Sequence, residues 1–141
     1  MKVKLRAVTL LFLIFQSCSV GGNQKSRDYT LPSGKKIKIE NISQVTFPNS
    51  NQTGLVMRYE TGISITDKES LRREVDEVWT IFVKDVEGAG LKYAAIRALH
   101  YDGGTVVRKG KGYGYVFMKD SEGKWRCTED YKEGAQTPTL Q

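Results

Sequence analysis

The sequence predicts one α+β domain: a long amphipathic helix packed on a curled, mainly antiparallel sheet, in the order β-β-β-α-β-β-β. Three observations carry that class. Stretches of period-2 alternation lie on both sides of a single stretch of helical period. The helical stretch is apolar along one stripe only, so it must bury that stripe against a sheet. The chain has 141 residues, 39% hydrophobic and 27% charged, which fits one compact domain and argues against wholesale disorder.

The elements follow in order. Pro32-Ser33-Gly34 is a turn signal, after which Ile37 and Ile39 alternate with Lys36, Lys38 and Glu40 as a half-exposed strand. Gln44–Phe47 reads as a second short strand, stopped by Pro48-Asn49-Ser50-Asn51. Gly54–Ile65 forms a third, with Leu55, Met57, Tyr59 and Thr61 on one face and a bend or bulge at Gly62. Thr66 and Glu69 make a capping box that opens a helix over residues 67–87. Its stripe is Leu71, Val75, Val78, Trp79, Phe82, Val83 and Val86, with Arg72, Arg73, Asp76, Glu77 and Lys84 opposite. Gly88 and Gly90 end it. Lys92–Tyr101 is the next strand, with Ala94, Ile96 and Ala98 on one face, its small residues leaving room under the rings of the helix. Asp102-Gly103-Gly104 turns the chain, Thr105–Arg108 is a further strand segment, and Gly112–Lys119 alternates Tyr113, Tyr115 and Phe117 with smaller residues. Asp120-Ser121-Glu122-Gly123 then makes a hairpin back into Lys124–Thr128. Cystatin-like and NTF2-like sheets are analogues of this arrangement in shape alone.

The ends have a different character. Residues 1–18 form a signal peptide, with Lys2, Lys4 and Arg6 as its basic start and Ala7–Phe15 as its apolar run. Nine helical residues span roughly 14 Å of a hydrocarbon core about 30 Å thick, too little for a permanent span. Residues 19–30 read as a polar tether, 31–132 as the α+β domain and 133–141 as a flexible tail.

Phe15-Gln16-Ser17-Cys18 resembles the lipobox of bacterial lipoproteins. Phe15 stands where that family usually has Leu, and Ser17 suits the position before the Cys. The resemblance implies that Cys18 carries the lipid, anchors the protein in a membrane and places it in the cell envelope. The competing reading is signal peptidase cleavage after Ser19, which yields a periplasmic or secreted soluble protein. The ordered segments LPSGKKIKI, SLRREVDEVWTIFVKDVEGAG and KGYGYVFMKDSEGKW are similar to small exported bacterial proteins of unassigned function. That likeness supports export and lends no chemistry.

Charge alone invites a nucleic-acid reading, with 22 Lys+Arg against 16 Asp+Glu. Losing the three cations of the leader halves the net charge from +6 to +3. An exported chain rarely meets intracellular nucleic acid, so an anionic envelope polymer or headgroup is the better charged partner. Lys35, Lys36 and Lys38, with Arg108, Lys109 and Lys111, form the candidate anion patch if their strands adjoin. Tyr113, Tyr115, Phe117 and Trp125 are the candidate ligand face for a small apolar molecule, although aromatic alternation is first of all core packing.

Catalytic signals are weak. His100 is the lone imidazole, Asp102 lies two residues on, and Cys127 would have to approach it in space to form a nucleophilic pair. One His and one mature Cys give no metal set, and no metal or cofactor is expected. Glu74, Asp76 and Glu77 read as solvated charges. Gly110–Gly114 lacks the spacing of a phosphate loop and leads into a strand. The leading expectation is a non-enzymatic envelope lipoprotein acting as a binding or accessory module, its partner an envelope protein or a small ligand. The alternatives are a soluble secreted inhibitor or immunity-type protein, and an NTF2-like small-molecule binder or enzyme.

Overall fold

Helix α1 (Lys68–Gly88) organises the fold. The computed structural model describes residues 26–47, 51–103 and 109–132. The signal peptide, Cys18, the tail, Arg108 and the expected strand segment Thr105–Arg108 lie outside the described residues. Around α1 run β1 (Arg27–Thr30), β2 (Lys36–Phe47), β3 (Gln52–Glu60), β4 (Tyr93–Asp102), β5 (Lys109–Lys119) and β6 (Trp125–Lys132). They form one six-stranded sheet in sequence order, β1-β2-β3-β4-β5-β6. The class is α+β, and the sheet is mixed. Four pairings are antiparallel, whereas β3 and β4, joined through α1, run parallel.

The expected strand order fits in part. β1 comes from the stretch read as tether: four exposed residues, Arg27-Asp28-Tyr29-Thr30, pair with Lys36–Ile39. So short a segment offers alternation nothing to register. The two strands expected between Lys35 and Phe47 are one strand, because a β-bulge sits between Ile39 and Asn41. A bulge adds one residue and shifts the alternation. Ile37 and Ile39 face the helix before it, and Ile42, opposite Met57, takes up that face after it. The third strand ends at Glu60 rather than Ile65, since Thr61 Oγ1 accepts the Ile63 N–H and pulls the chain into a turn.

The helix begins one residue later than the capping box predicts. Asp67 is the N-cap, accepting the Ser70 N–H at 3.1 Å, while the Thr66 hydroxyl is engaged with Ser64 at 2.8 Å. At the other end Ala89 is the C-cap, and Gly90 follows with φ +69°. The Gly90 N–H reaches Glu87 O and the Leu91 N–H reaches Val86 O, a Schellman ending that needs the left-handed conformation glycine accepts.

One face of the sheet packs on α1. The register aligns Leu55, Met57 and Tyr59 with Ala94, Ile96 and Ala98, and these with Phe117, Tyr115 and Tyr113. Leu71, Val75, Val78, Phe82 and Val86 close over them, each fully buried. Ala94 and Ala98 are fully buried beneath the helix. On the far face Arg58 and Arg97 stand opposite each other. Gly54 sits where the strands crowd: a Cβ there would lie 2.6 Å from the Tyr93 carbonyl oxygen.

Candidate ligand-binding groove

Side chains of α1 that look towards β1 and β2 recur at helical spacing as Glu74, Glu77, Ile81 and Lys84, with Asp85 beside the last. Their chemistry changes along the helix. In the N-terminal half the contacts are polar and clamp the β1–β2 turn. Glu77 Oε2 accepts the Ser33 backbone N–H at 2.9 Å, which holds that carboxyl below its ordinary 4.5. Glu74, 4% exposed, pairs with Lys35 and accepts from the Tyr59 hydroxyl at 3.0 Å and the Thr61 hydroxyl at 2.5 Å. Burial, and then the charge of Glu74, push the Tyr59 phenol far up, so it serves as a fixed donor.

Two turns further on the contacts cease and a groove opens. It offers about 320 Å³, open to solvent along one side, between β1 and the C-terminal half of α1. Ile39, Met57 and Ile81 supply apolar lining; Arg27, Tyr29, Lys84 and Asp85 supply the rest. Tyr29 is 40% exposed, the one large hydrophobic residue so open among those described. Arg27 and Tyr29 face the helix because they pair with Ile39 and Ile37, which also do. A groove of this size is at the small end of ligand sites, and apolar and charged side chains line it together.

The residues singled out from sequence lie elsewhere. Tyr113, Tyr115, Phe117 and Trp125 do come together on the helix face, with α1 packed onto them. Trp79 stacks on Phe117 at 4.0 Å with rings 4° from parallel, and meets Trp125 edge-on at 5.1 Å. Tyr113, Tyr115 and Phe117 are 5%, 3% and 3% exposed, so this face is filled by the protein itself. The Trp125 indole N–H and Lys119 Nζ both donate to Glu87 Oε1, at 2.9 and 3.0 Å, and hold that carboxyl below its ordinary 4.5.

The lysine clusters are not neighbours. β2 and β5 are separated by β3 and β4, roughly 14 Å at ordinary strand spacing. Lys35 turns to Glu74, Lys36 lies opposite Thr30, and Lys38 lies opposite Asp28 and Glu60. Lys109 is opposite Asp102, and Lys111 Nζ lies 3.7 Å from the Asp102 carboxylate. His100 has both nitrogens engaged, Nδ1 3.3 Å from the Thr61 carbonyl and Nε2 3.1 Å from Asp102. Cys127 is opposite Phe117, and His100 is opposite Lys111, six residues away on β5. That is roughly 20 Å, too far for a nucleophile and its base. Among the described residues no three His, Cys, Asp or Glu gather as a metal set, and no helix is long and apolar enough to cross a membrane.

Two features differ from the expectation, and only the first is readable in the sequence. Glu74 occupies the apolar stripe itself, three residues after Leu71 and four before Val78, a position that predicts burial. The groove depends on β1, whose four residues carry no usable pattern. Comparison with protein families, with curated proteins and with solved structures finds no match to this chain.

Proposed function

We propose that this protein is a non-enzymatic binding module of the cell envelope, tethered through a lipid on Cys18, that holds a small amphiphilic molecule in the groove beside α1. The observation that carries the reading is the groove itself, lined by a half-buried isoleucine, an exposed tyrosine and charged side chains. In this reading the sheet curls about α1 in a cystatin-like manner and brings β1 up beside the last turns of the helix. Binding is favoured over catalysis because the acid, base and thiol candidates are engaged internally or far apart. His100 gives both nitrogens to protein partners, and Glu74 is held by Lys35, Tyr59 and Thr61.

The binding half is tested by a thermal-shift screen of small amphiphiles on the wild type and on Ile81→Trp, which fills the groove. A ligand at a hundred times its Kd adds about 2.7 kcal/mol. In a domain of this size that is a shift of roughly ten degrees or more. A shift seen in the wild type and lost in Ile81→Trp supports the proposal. No shift with any amphiphile, or equal shifts in both proteins, contradicts it. The anchor is tested by labelling cells with a palmitate analogue: wild type should incorporate label and Cys18→Ala should not. An unlabelled wild type would favour the soluble secreted form.

A further inference from the structure

We infer that the groove takes a medium-chain monocarboxylate, its apolar tail against Ile81 and Tyr29 and its carboxylate between Arg27 and Lys84. This rests on the groove reading above and adds the chemistry of the ligand.

Size sets the first limit. About 320 Å³, at roughly 30 Å³ per water-sized group, holds about ten non-hydrogen atoms. That matches a short acyl or similar chain, and the rest of anything longer would project into solvent. The lining sets the second. Ile39 and Met57 are 3% and 1% exposed and only back the groove, so the apolar surface it offers comes from half-buried Ile81 and from Tyr29, 40% exposed. A chain lying between them would cover the ring of Tyr29.

Charge sets the third. Arg27 and Lys84 make no ion pair or side-chain hydrogen bond among the described residues, although both line the groove. Asp85 lines it too, so two cations face one carboxylate and the lining carries a net charge of +1. A monoanion balances that charge. A phosphate monoester carries about −1.5 to −2 near neutrality and would leave excess negative charge facing Asp85. A cationic amphiphile would meet two like charges. Planar, forked Arg27 suits a carboxylate bidentately, with Lys84 as a second point charge.

Equilibrium dialysis of the full chain against radiolabelled octanoate tests this, with octanol, octylammonium and octyl phosphate as competitors. Octanoate should bind saturably and be displaced poorly by the other three. Arg27→Glu and Lys84→Glu should each weaken it about threefold, and together about tenfold, as expected for exposed charges. Both sites are exposed, so the reversals leave the core intact. If octanol, octyl phosphate or octylammonium competes as well as octanoate itself, the carboxylate assignment falls while the groove reading stands. If none of the four binds saturably, both fall. Octanoate binding that survives the double reversal and Ile81→Trp unchanged belongs elsewhere on the protein and overturns the inference.

Discussion

The two flanks of α1 rest on the same sheet face and differ in what fills the space beneath them. Towards β5 and β6 the helix presents Trp79 and Phe82, and the sheet answers with Phe117, Trp125, Tyr113 and Tyr115. Ring stacks on ring and the flank is closed. Towards β1 the helix presents Ile81, Lys84 and Asp85, and the edge strand answers with Arg27 and Tyr29. Aliphatic and charged side chains leave about 320 Å³ between them. An aromatic stripe in a strand therefore marks where this protein is solid, and the less conspicuous edge is where a ligand has room.

That contrast predicts graded tolerance. Phe82→Ala, at a fully buried position of the closed flank, should cost about 3–5 kcal/mol, read as a lowered urea midpoint. A cost near 1 kcal/mol would mean the flank is loosely packed. Glu74→Ala acts at the clamp between the flanks. It leaves the Tyr59 and Thr61 hydroxyls without their acceptor, at about 2–3 kcal/mol. The Lys35 side chain is 41% exposed, so solvent screening keeps its share below about 1 kcal/mol. A Glu74→Ala, Lys35→Met double-mutant cycle should return a small coupling. Ile81→Ala on the open flank should cost only about 1–2 kcal/mol, because its side chain is partly exposed and already borders a groove. Should Ile81→Ala prove as damaging as Phe82→Ala, the flanks do not differ as described.

Acid should loosen both flanks together. Glu77, held down by the Ser33 N–H, ties the β1–β2 turn to the helix, and Glu87, held down by Trp125 and Lys119, ties β5 and β6 to its end. Asp120, held down by Arg126 and then by backbone N–H groups, fixes the β5–β6 turn. A carboxyl whose folded value is depressed contributes stability that is complete above its unfolded value and lost as pH falls through the folded one. The urea midpoint should thus be flat above the ordinary value of 4.5 and decline below it. A midpoint unchanged down to strongly acid pH would contradict these ties.

Much of this was legible in the chain, and the gaps have physical causes. Helix α1 announces itself because Leu71, Val75, Val78, Phe82 and Val86 repeat at helical period over many turns. The Asp120–Gly123 turn is equally plain, since Asp120 accepts the Glu122 and Lys124 N–H groups and Gly123 takes φ +80°. β2 was obscured because its bulge breaks the alternation midway, making one strand look like two. The groove was invisible for a related reason. Arg27-Asp28-Tyr29-Thr30 is too short to show a period, and its pairing with Lys36–Ile39 is a tertiary fact. The aromatic residues drew attention as a ligand face because sequence reports composition but not which neighbour, here Trp79, covers it.

The measurement that tests the central contrast most directly is a residue-resolved NMR titration of the full chain with octanoate. Binding on the open flank predicts saturable amide shifts at Arg27–Thr30 and Ile81–Asp85, with Tyr113, Tyr115, Phe117 and Trp125 unmoved. Shifts centred on Phe117 and Trp125, or none at Arg27–Thr30, would contradict it.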